Sequence, residues 1–348
     1  MQIFCDRHHS ALFSSLVILF EERLGHKLYF PLGMEWYERE LWNIYPHLDT
    51  AKQYLSLDQL YRPKDGTSPL NQIIEEESGT YMVVDPQSNK KIHGMSLEKF
   101  LSTKIDIVIA SIPQHVEIYK ELARKKGAKF IYQIGNAWSI EADTASNVMA
   151  SAKLDRHPPG VNMVEYHQEF SLDIFCPGLH WENKNISSFV NCFNTADIFK
   201  EDWQLFLETE KIMPGWTFKS FGGQCRDGFC AGDRQVADRM RSGRFIWHTK
   251  FGGDGYGYVL FSGMATGTPF IAKFDYYRGK MGDKLLKEGI TAISIDGLSP
   301  EEIRNKIEYW SIPQNYQILC QGAINNFMTE VNFDKDAEKV KGFLDNLV

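Results

Sequence analysis

No apolar run long enough to cross a bilayer occurs in this sequence. The nearest candidate, Ala11 to Phe20, falls short of the roughly 20 residues a spanning helix needs. It is followed at once by Glu21, Glu22 and Arg23 and carries no small-residue cleavage site, so it reads as a first core helix. Cysteine is sparse and unpaired in spacing: Cys5, Cys176, Cys192, Cys225, Cys230 and Cys320 make no disulfide framework, which fits a reducing, cytoplasmic setting. Cys225 and Cys230 lie closest, but no second Cys or His pair follows at zinc-finger spacing, so a structural zinc is set aside. An excess of positive charge is missing too. With 38 Lys and Arg against 45 Asp and Glu, the net charge of −7 offers no broad footprint for a phosphate backbone. Short repeats and low-complexity tracts are absent, which excludes solenoids and long linkers.

What is present is a globular balance, 43% hydrophobic and 24% charged residues. A chain of 348 residues is longer than one core usually grows, so two domains are expected. Gln2 to Cys5 reads as a strand, Ser10 to Gly25 as a helix and Leu28 to Phe30 as the next strand. From Gly33 to Ser102 the pattern is irregular and reads as loops and short helices. Ile105 to Ser111, Val116 to Lys126 closed by Gly127, and Lys129 to Ile134 form a strand-helix-strand unit of a parallel sheet. Pro177, Gly178 and Asn183 to Asn185 interrupt the pattern, which places a boundary and hinge near 173–187 and domains at 1–180 and 181–348. The second half alternates again: strand Ser188 to Phe193, helix Glu201 to Ile212, strand Thr217 to Phe221, helix Gln235 to Arg241, strand Phe245 to His248, helix Tyr256 to Ala265 and strand Pro269 to Phe274. That alternation predicts an α/β chain of two doubly wound domains.

The most informative stretch runs from Phe245 to Ile271: strand, glycine-rich turn, helix, strand. Gly252, Gly253, Gly255 and Gly257 let the backbone turn at positive φ, approach a ligand closely and leave amide donors at the start of a helix. His248 and Lys250 stand just before that terminus, whose dipole favours an anion. A diphosphate would be well compensated there, with Asp254 toward sugar or ribose hydroxyls. Arg239, Arg241 and Arg244 form a basic cluster that a solvated helix face explains more readily.

Gly263-Met-Ala-Thr-Gly-Thr-Pro-Phe-Ile271 resembles the small-residue helix end and strand start of the GT-B glycosyltransferases. In the branch it resembles, two glutamates separated by seven residues contact donor sugar and ribose; the corresponding positions here are Asp254 and Ser262. Phe189 to Phe193 with Lys200, and Thr217 to Gly223, resemble the first strand-loop elements of the donor domain. The resemblance extends over most of 186–348 and implies a GT-B architecture of two Rossmann-like domains facing a central cleft. It implies donor-binding residues Asn194, Lys200, Gly222, Gly223, His248, Lys250, Gly253, Asp254, Gly255, Tyr256, Gly257 and Ser262, with Arg226 and Arg234 in reserve. Asn325 to Val348 resembles C-terminal helices that cross back to the first domain.

In the first half, Asp6-Arg7-His8-His9 follows the first strand, at the carboxyl edge where open sheets present ligands. A neutral His can take a proton from an acceptor hydroxyl while an Asp holds its tautomer, a pairing seen in inverting members of the fold. His8 or His9 with Asp6 is therefore the expected catalytic pair. The aromatics Trp36, Tyr37, Trp42 and Tyr45, and Asn136 with Trp138, could stack on an acceptor, though core packing explains most of them better.

The resemblance implies a metal-independent glycosyltransferase with no cofactor. Its co-substrate is a nucleotide-sugar, such as a UDP-sugar; the acceptor is unidentified, and nucleic acid is not indicated by the acidic charge. The loop around Asp254 resembles retaining members, whereas the histidine pair belongs to inverting ones. Alternatives are a nucleotide-sugar epimerase of the same fold, a non-catalytic nucleotide-sugar binding protein and an NAD-dependent oxidoreductase. A dinucleotide fingerprint starting at Gly253 and Gly255 requires glycine where Tyr258 stands.

Overall fold

Short runs of Ile, Val and Phe too brief for helices become parallel strands with helices between them. The computed structural model describes residues 1–7, 10–33, 35–36, 74–85, 88–135, 145–154, 157, 159–178 and 183–348. The chain divides into two units: Met1–Glu169 with Phe333–Val348, and Phe170–Asn332.

The first unit holds strands β1 (Gln2–Cys5), β2 (Lys27–Pro31), β3 (Ile74–Glu77), β4 (Thr80–Val84), β5 (Lys91–Met95), β6 (Ile107–Ala110), β7 (Lys129–Ile134), β8 (Asn147–Ala150) and β9 (Asn162–Glu165). They form one nine-stranded sheet in the order β3-β4-β5-β2-β1-β6-β7-β8-β9. From β5 to β9 all neighbours are parallel, and β4 and β3 extend the edge antiparallel. The helices are α1 (Ser10–Val17, continued by a π-helical turn over Ile18–Arg23), α2 (Leu97–Ser102) and α3 (Val116–Lys126). Gly127 ends α3 at φ 60°, the left-handed conformation that lets the chain turn into β7. Side chains alternate across each strand, so β1 sends Ile3 and Cys5 into one core with Leu12, Phe13 and Leu16, and Phe4 into another with Val116, Tyr119 and Leu122. Burial on both faces explains why these strands read as continuous apolar runs.

The stretch expected to be loops and short helices therefore contains three strands and α2. β3 escaped notice because all four of its residues are exposed and three are glutamates, so it has no apolar period. Such charge on an edge strand deters pairing with another chain.

The second unit has a five-stranded, all-parallel sheet in the order β11-β10-β12-β13-β14. Its strands are β10 (Asn185–Ser188), β11 (Thr217–Ser220), β12 (Phe245–His248), β13 (Phe270–Ala272) and β14 (Ala292–Ser294). Its helices are α4 (Lys200–Ile212), α5 (Gly232–Ser242), α6 (Tyr258–Ala265), α7 (Pro300–Trp310) and α8 (Pro313–Glu330). Chain order reverses between β10 and β12, the switch point of a doubly wound sheet, outside whose carboxyl ends such folds place ligands. The strand expected at Ser188 to Phe193 lies earlier, at Asn185–Ser188. Phe189 to Phe193 instead enter a turn with Cys192 at φ 57°, and their apolar character reflects Val190 and Phe193 packing down into the core.

The last helix, α9 (Phe333–Asp345), belongs to the first unit, where Ala337, Val340, Phe343 and Leu344 enter the core beside Leu16 and Phe20.

Candidate functional site

At the carboxyl end of β12 the backbone turns sharply through glycines. Gly252, Gly253 and Gly257 have φ of 74°, 66° and 85°. Gly253 is fixed by contact as well as by conformation, since a Cβ there would stand 2.2 Å from the carbonyl oxygen of Tyr276. The loop thus lies against the segment that follows β13. Gly255 is buried, Tyr256 is buried and stacks on Phe261 at 4.3 Å, and Gly257 caps the start of α6.

The charged groups of this loop converge on Asp254. His248 Nε2 donates to its Oδ2 at 3.0 Å, Lys250 Nζ donates to Oδ1, and the Tyr277 hydroxyl stands 3.5 Å from Oδ2. Burial alone would raise the Asp254 carboxyl, but the His248 hydrogen bond and the Lys250 charge outweigh it and hold the group well below the usual carboxylate range. Only 13% of the Asp254 side chain is exposed, so the carboxylate acts first as the anchor of His248 and Lys250. His248 is 1% exposed and stacks on Tyr277 at 5.7 Å. Its Nδ1 is buried without a hydrogen-bond partner among the described residues.

The loops after β10 and β11 are tied to each other. Asn191 Oδ1 accepts the Gly223 N–H at 2.8 Å, and the Cys192 N–H donates to the Gly223 carbonyl at 2.8 Å. Gly222, at φ 143°, leaves no room for a Cβ, which would meet Asn191 Oδ1 at 2.6 Å. Asn194 is half-buried with its Oδ1 unpartnered among the described residues, and Lys200 is exposed at the first residue of α4. These loops leave the same sheet edge as His248, the first from β10 beside β12 and the second from β11 beyond it. Among the described residues no hydrogen bond or ion pair joins Asn194, Lys200, Gly222 or Gly223 to the Asp254 cluster.

Ser262 is not brought to this cluster. It is fully buried in α6, and its hydroxyl donates to the Tyr258 carbonyl one turn back at 2.6 Å, so the expected ribose contact has no free hydroxyl. Of the other basic residues, Arg226 is held by Glu210 and Asp227, and Arg241 by Asp238 and the Ile174 carbonyl. Arg244 is buried over the Tyr316 ring, whereas Arg234 is exposed.

The first unit has its own switch point, between β1 and β6. Asp6 follows β1 there and is 3% exposed. His115 Nδ1 lies 2.5 Å from Asp6 Oδ2, the Ser111 N–H donates to the same oxygen at 2.9 Å, and the Ser111 hydroxyl donates to Oδ1. His8 and His9 lie outside the described residues, as do Tyr37, Trp42, Tyr45, Asn136 and Trp138. Trp36 is a core residue, stacked on Phe4 at 4.9 Å with its indole N–H on the Met95 carbonyl. Among the described residues no cluster of His, Cys, Asp and Glu has the arrangement of a metal site, and no helix is long and apolar enough to cross a membrane.

No family model and no curated protein matches this chain. Solved structures do. Anabaena HepE in complex with UDP and glucose superposes with a TM-score of 0.63 at 10% identity over 100% of both chains. TarM superposes at 0.60 with 10% identity over 99% of each chain. The pneumococcal O-GlcNAc transferase GtfA, in complex with UDP and GlcNAc, superposes at 0.58 with 11% identity over 99% of this chain and 98% of that one. The chain has the GT-B fold. In this GT-B chain four neighbours of the expected site residues went unnoticed in the sequence: Asn191, Tyr277, Lys280 and His115. Each is joined to its group by folding rather than by spacing; His115 and Asp6 are 109 positions apart. The signal available for His115 was its place after a strand, at the start of the well-marked helix Val116–Lys126.

Proposed function

We propose that this chain is a glycosyltransferase that moves a sugar from a nucleotide-sugar donor to a hydroxyl acceptor, with the donor held by the second unit. The observation that carries the proposal is the loop from His248 to Gly257. Its glycines turn the backbone at the carboxyl edge beside a switch point, and one buried carboxylate, Asp254, fixes His248 and Lys250 at the start of α6. The likeness over the whole chain to HepE and GtfA, each solved with UDP, supports a nucleotide diphosphate as the ligand.

Transfer breaks the bond between the anomeric carbon and the diphosphate oxygen, and the departing diphosphate gathers negative charge. Backbone amides and the positive terminus of α6 are held ready for that charge before the reaction starts, the condition under which electrostatic stabilisation is most effective. Lys250 adds a mobile cation. On the acceptor side the proposal keeps Asp6 and gives it His115 as partner. A histidine oriented by a carboxylate is a group suited to take the proton of an acceptor hydroxyl.

The test is a calorimetric binding screen against UDP-, GDP-, ADP- and dTDP-sugars with NAD as control, followed by transfer assays with the sugar that binds. Saturable binding weakened by Lys250→Ala is expected; Lys250 is 38% exposed and Asp254 keeps its His248 partner, and an unfolding scan of the variant checks that it remains folded. Binding of NAD alone, or nucleotide-sugar binding indifferent to Lys250→Ala, overturns the assignment of this loop.

A further inference from the structure

Lys280 ends the segment that follows β13, and its side chain lies across the glycine loop. A Cβ added to Gly253 would stand 2.7 Å from Lys280 Nζ and 3.1 Å from Cδ. The residue is half-buried, and among the described residues its ammonium makes no hydrogen bond or ion pair. The carboxylate within its reach, Asp254, is already engaged by His248 and Lys250. Against the one Asp254 carboxylate, Lys250 and Lys280 leave at least one positive charge unmatched around this loop. Burial pushes the Lys280 ammonium below its ordinary range; the Asp254 charge opposes this, and the smaller effect of the Lys250 charge adds to it. A partly desolvated cation without a counter-ion is unfavourable until an anion joins it. A flexible point charge on a long stem, above glycine amides and a helix start, suits a phosphate group.

We infer that Lys280 is a donor-positioning residue that pairs with the terminal phosphate of a nucleoside diphosphate, so that this site separates diphosphates from monophosphates. The inference rests on the nucleotide-sugar reading above and adds a residue to it. None of the sequence motifs points to this lysine, because the contact spans two loops that follow different strands.

Isothermal titration of the full chain with UDP, UMP and inorganic pyrophosphate tests it, using Lys280→Met, Lys280→Arg and, as a control, Lys284→Met at a side chain 73% exposed. Lys280→Met keeps the apolar stem over Gly253. Loss of one charge-assisted contact corresponds to a fall in UDP affinity of about 10- to 100-fold. UMP affinity is expected to change less than about twofold, Lys280→Arg to recover most of the UDP affinity, and Lys284→Met to have no effect. An unchanged thermal midpoint for Lys280→Met separates this loss from unfolding. UDP binding by Lys280→Met within about twofold of the parent, or equal losses for UDP and UMP, overturns the inference while leaving the donor reading standing. If the parent chain binds pyrophosphate through Lys280 but no nucleotide, the anion seat stands and the glycosyltransferase reading falls. If it binds none of the three probes, both fall.

Discussion

Replacing Gly253 by alanine separates two costs that glycine normally hides together. At φ 66° any side chain carries the left-handed penalty, about 1–2 kcal/mol for a non-glycine residue. The added methyl would also stand 2.2 Å from the Tyr276 carbonyl oxygen, which belongs to backbone and cannot swing aside. Relieving that overlap requires the loop after β12 or the segment after β13 to move, at the scale of an overpacked core, about 1–3 kcal/mol. Gly279 provides the matched control: its φ is 74°, and a Cβ there meets nothing within 4 Å. Gly279→Ala should therefore lose about 1–2 kcal/mol and Gly253→Ala about 2–5 kcal/mol. For a domain of this size each kcal/mol moves the thermal midpoint by about 2–4 °C. Scanning calorimetry of the two variants beside the parent reads the difference directly. Equal midpoints for Gly253→Ala and Gly279→Ala would refute the claim that the loop is held by contact with Tyr276.

Three further outcomes follow from the geometry. Asp254→Asn leaves His248 and Lys250 without their anion and should cost about 2–3 kcal/mol at neutral pH, the low side for a broken buried pair because Lys250 can turn toward water. Because the folded-state carboxyl is depressed, its stabilisation is present above the ordinary carboxyl range and is lost as pH falls toward the lowered value. Thermal midpoints of parent and Asp254→Asn should therefore converge below about pH 4; a gap that stays constant down to pH ~2 would contradict the pairing. Ser262→Ala removes a hydroxyl already bonded to its own helix and should alter stability by less than about 1 kcal/mol and UDP affinity by less than about twofold. A larger loss of affinity in titration would return Ser262 to the site. Asp6→Ala strips the acceptor from His115 and from both donors of Ser111 and should destabilise by about 3–5 kcal/mol in urea unfolding, unlike an exposed carboxylate such as Glu117.

The parts of the fold that were legible in the sequence are those whose apolar pattern matches their own burial. Phe245–His248 and Val116–Lys126 could be placed to the residue, the first because every side chain is buried and the second because Gly127 ends it. Ile74–Glu77 was invisible for the opposite reason: an exposed edge strand buries nothing and so carries no period. Phe189 to Phe193 were misread because a turn that dips into the core has the composition of a strand. The candidate site divides in the same way. Gly252, Gly253 and Gly257 announce themselves by the backbone they permit, and His248, Lys250 and Asp254 are near enough in sequence to be taken as one group. Lys280 and Tyr277 meet that group only through the register of β12 against β13, and Ser262 follows the helical spacing faithfully yet points its hydroxyl at its own turn. Spacing identifies neighbours along one element; it does not report which groups the sheet brings together.

The position of α9 has a consequence for the order in which the chain is made. Ala337, Val340, Phe343 and Leu344 fill the core around β1 and α1, although most of that unit lies before residue 170. The second unit is uninterrupted from Phe170 to Asn332 and needs no later segment to close its core. On a ribosome, therefore, the unit translated later can finish first. The earlier one lacks Ala337, Val340, Phe343 and Leu344 of its core until α9 has been made. Premature termination anywhere in α9 would then yield a chain whose defect lies in the residues translated first.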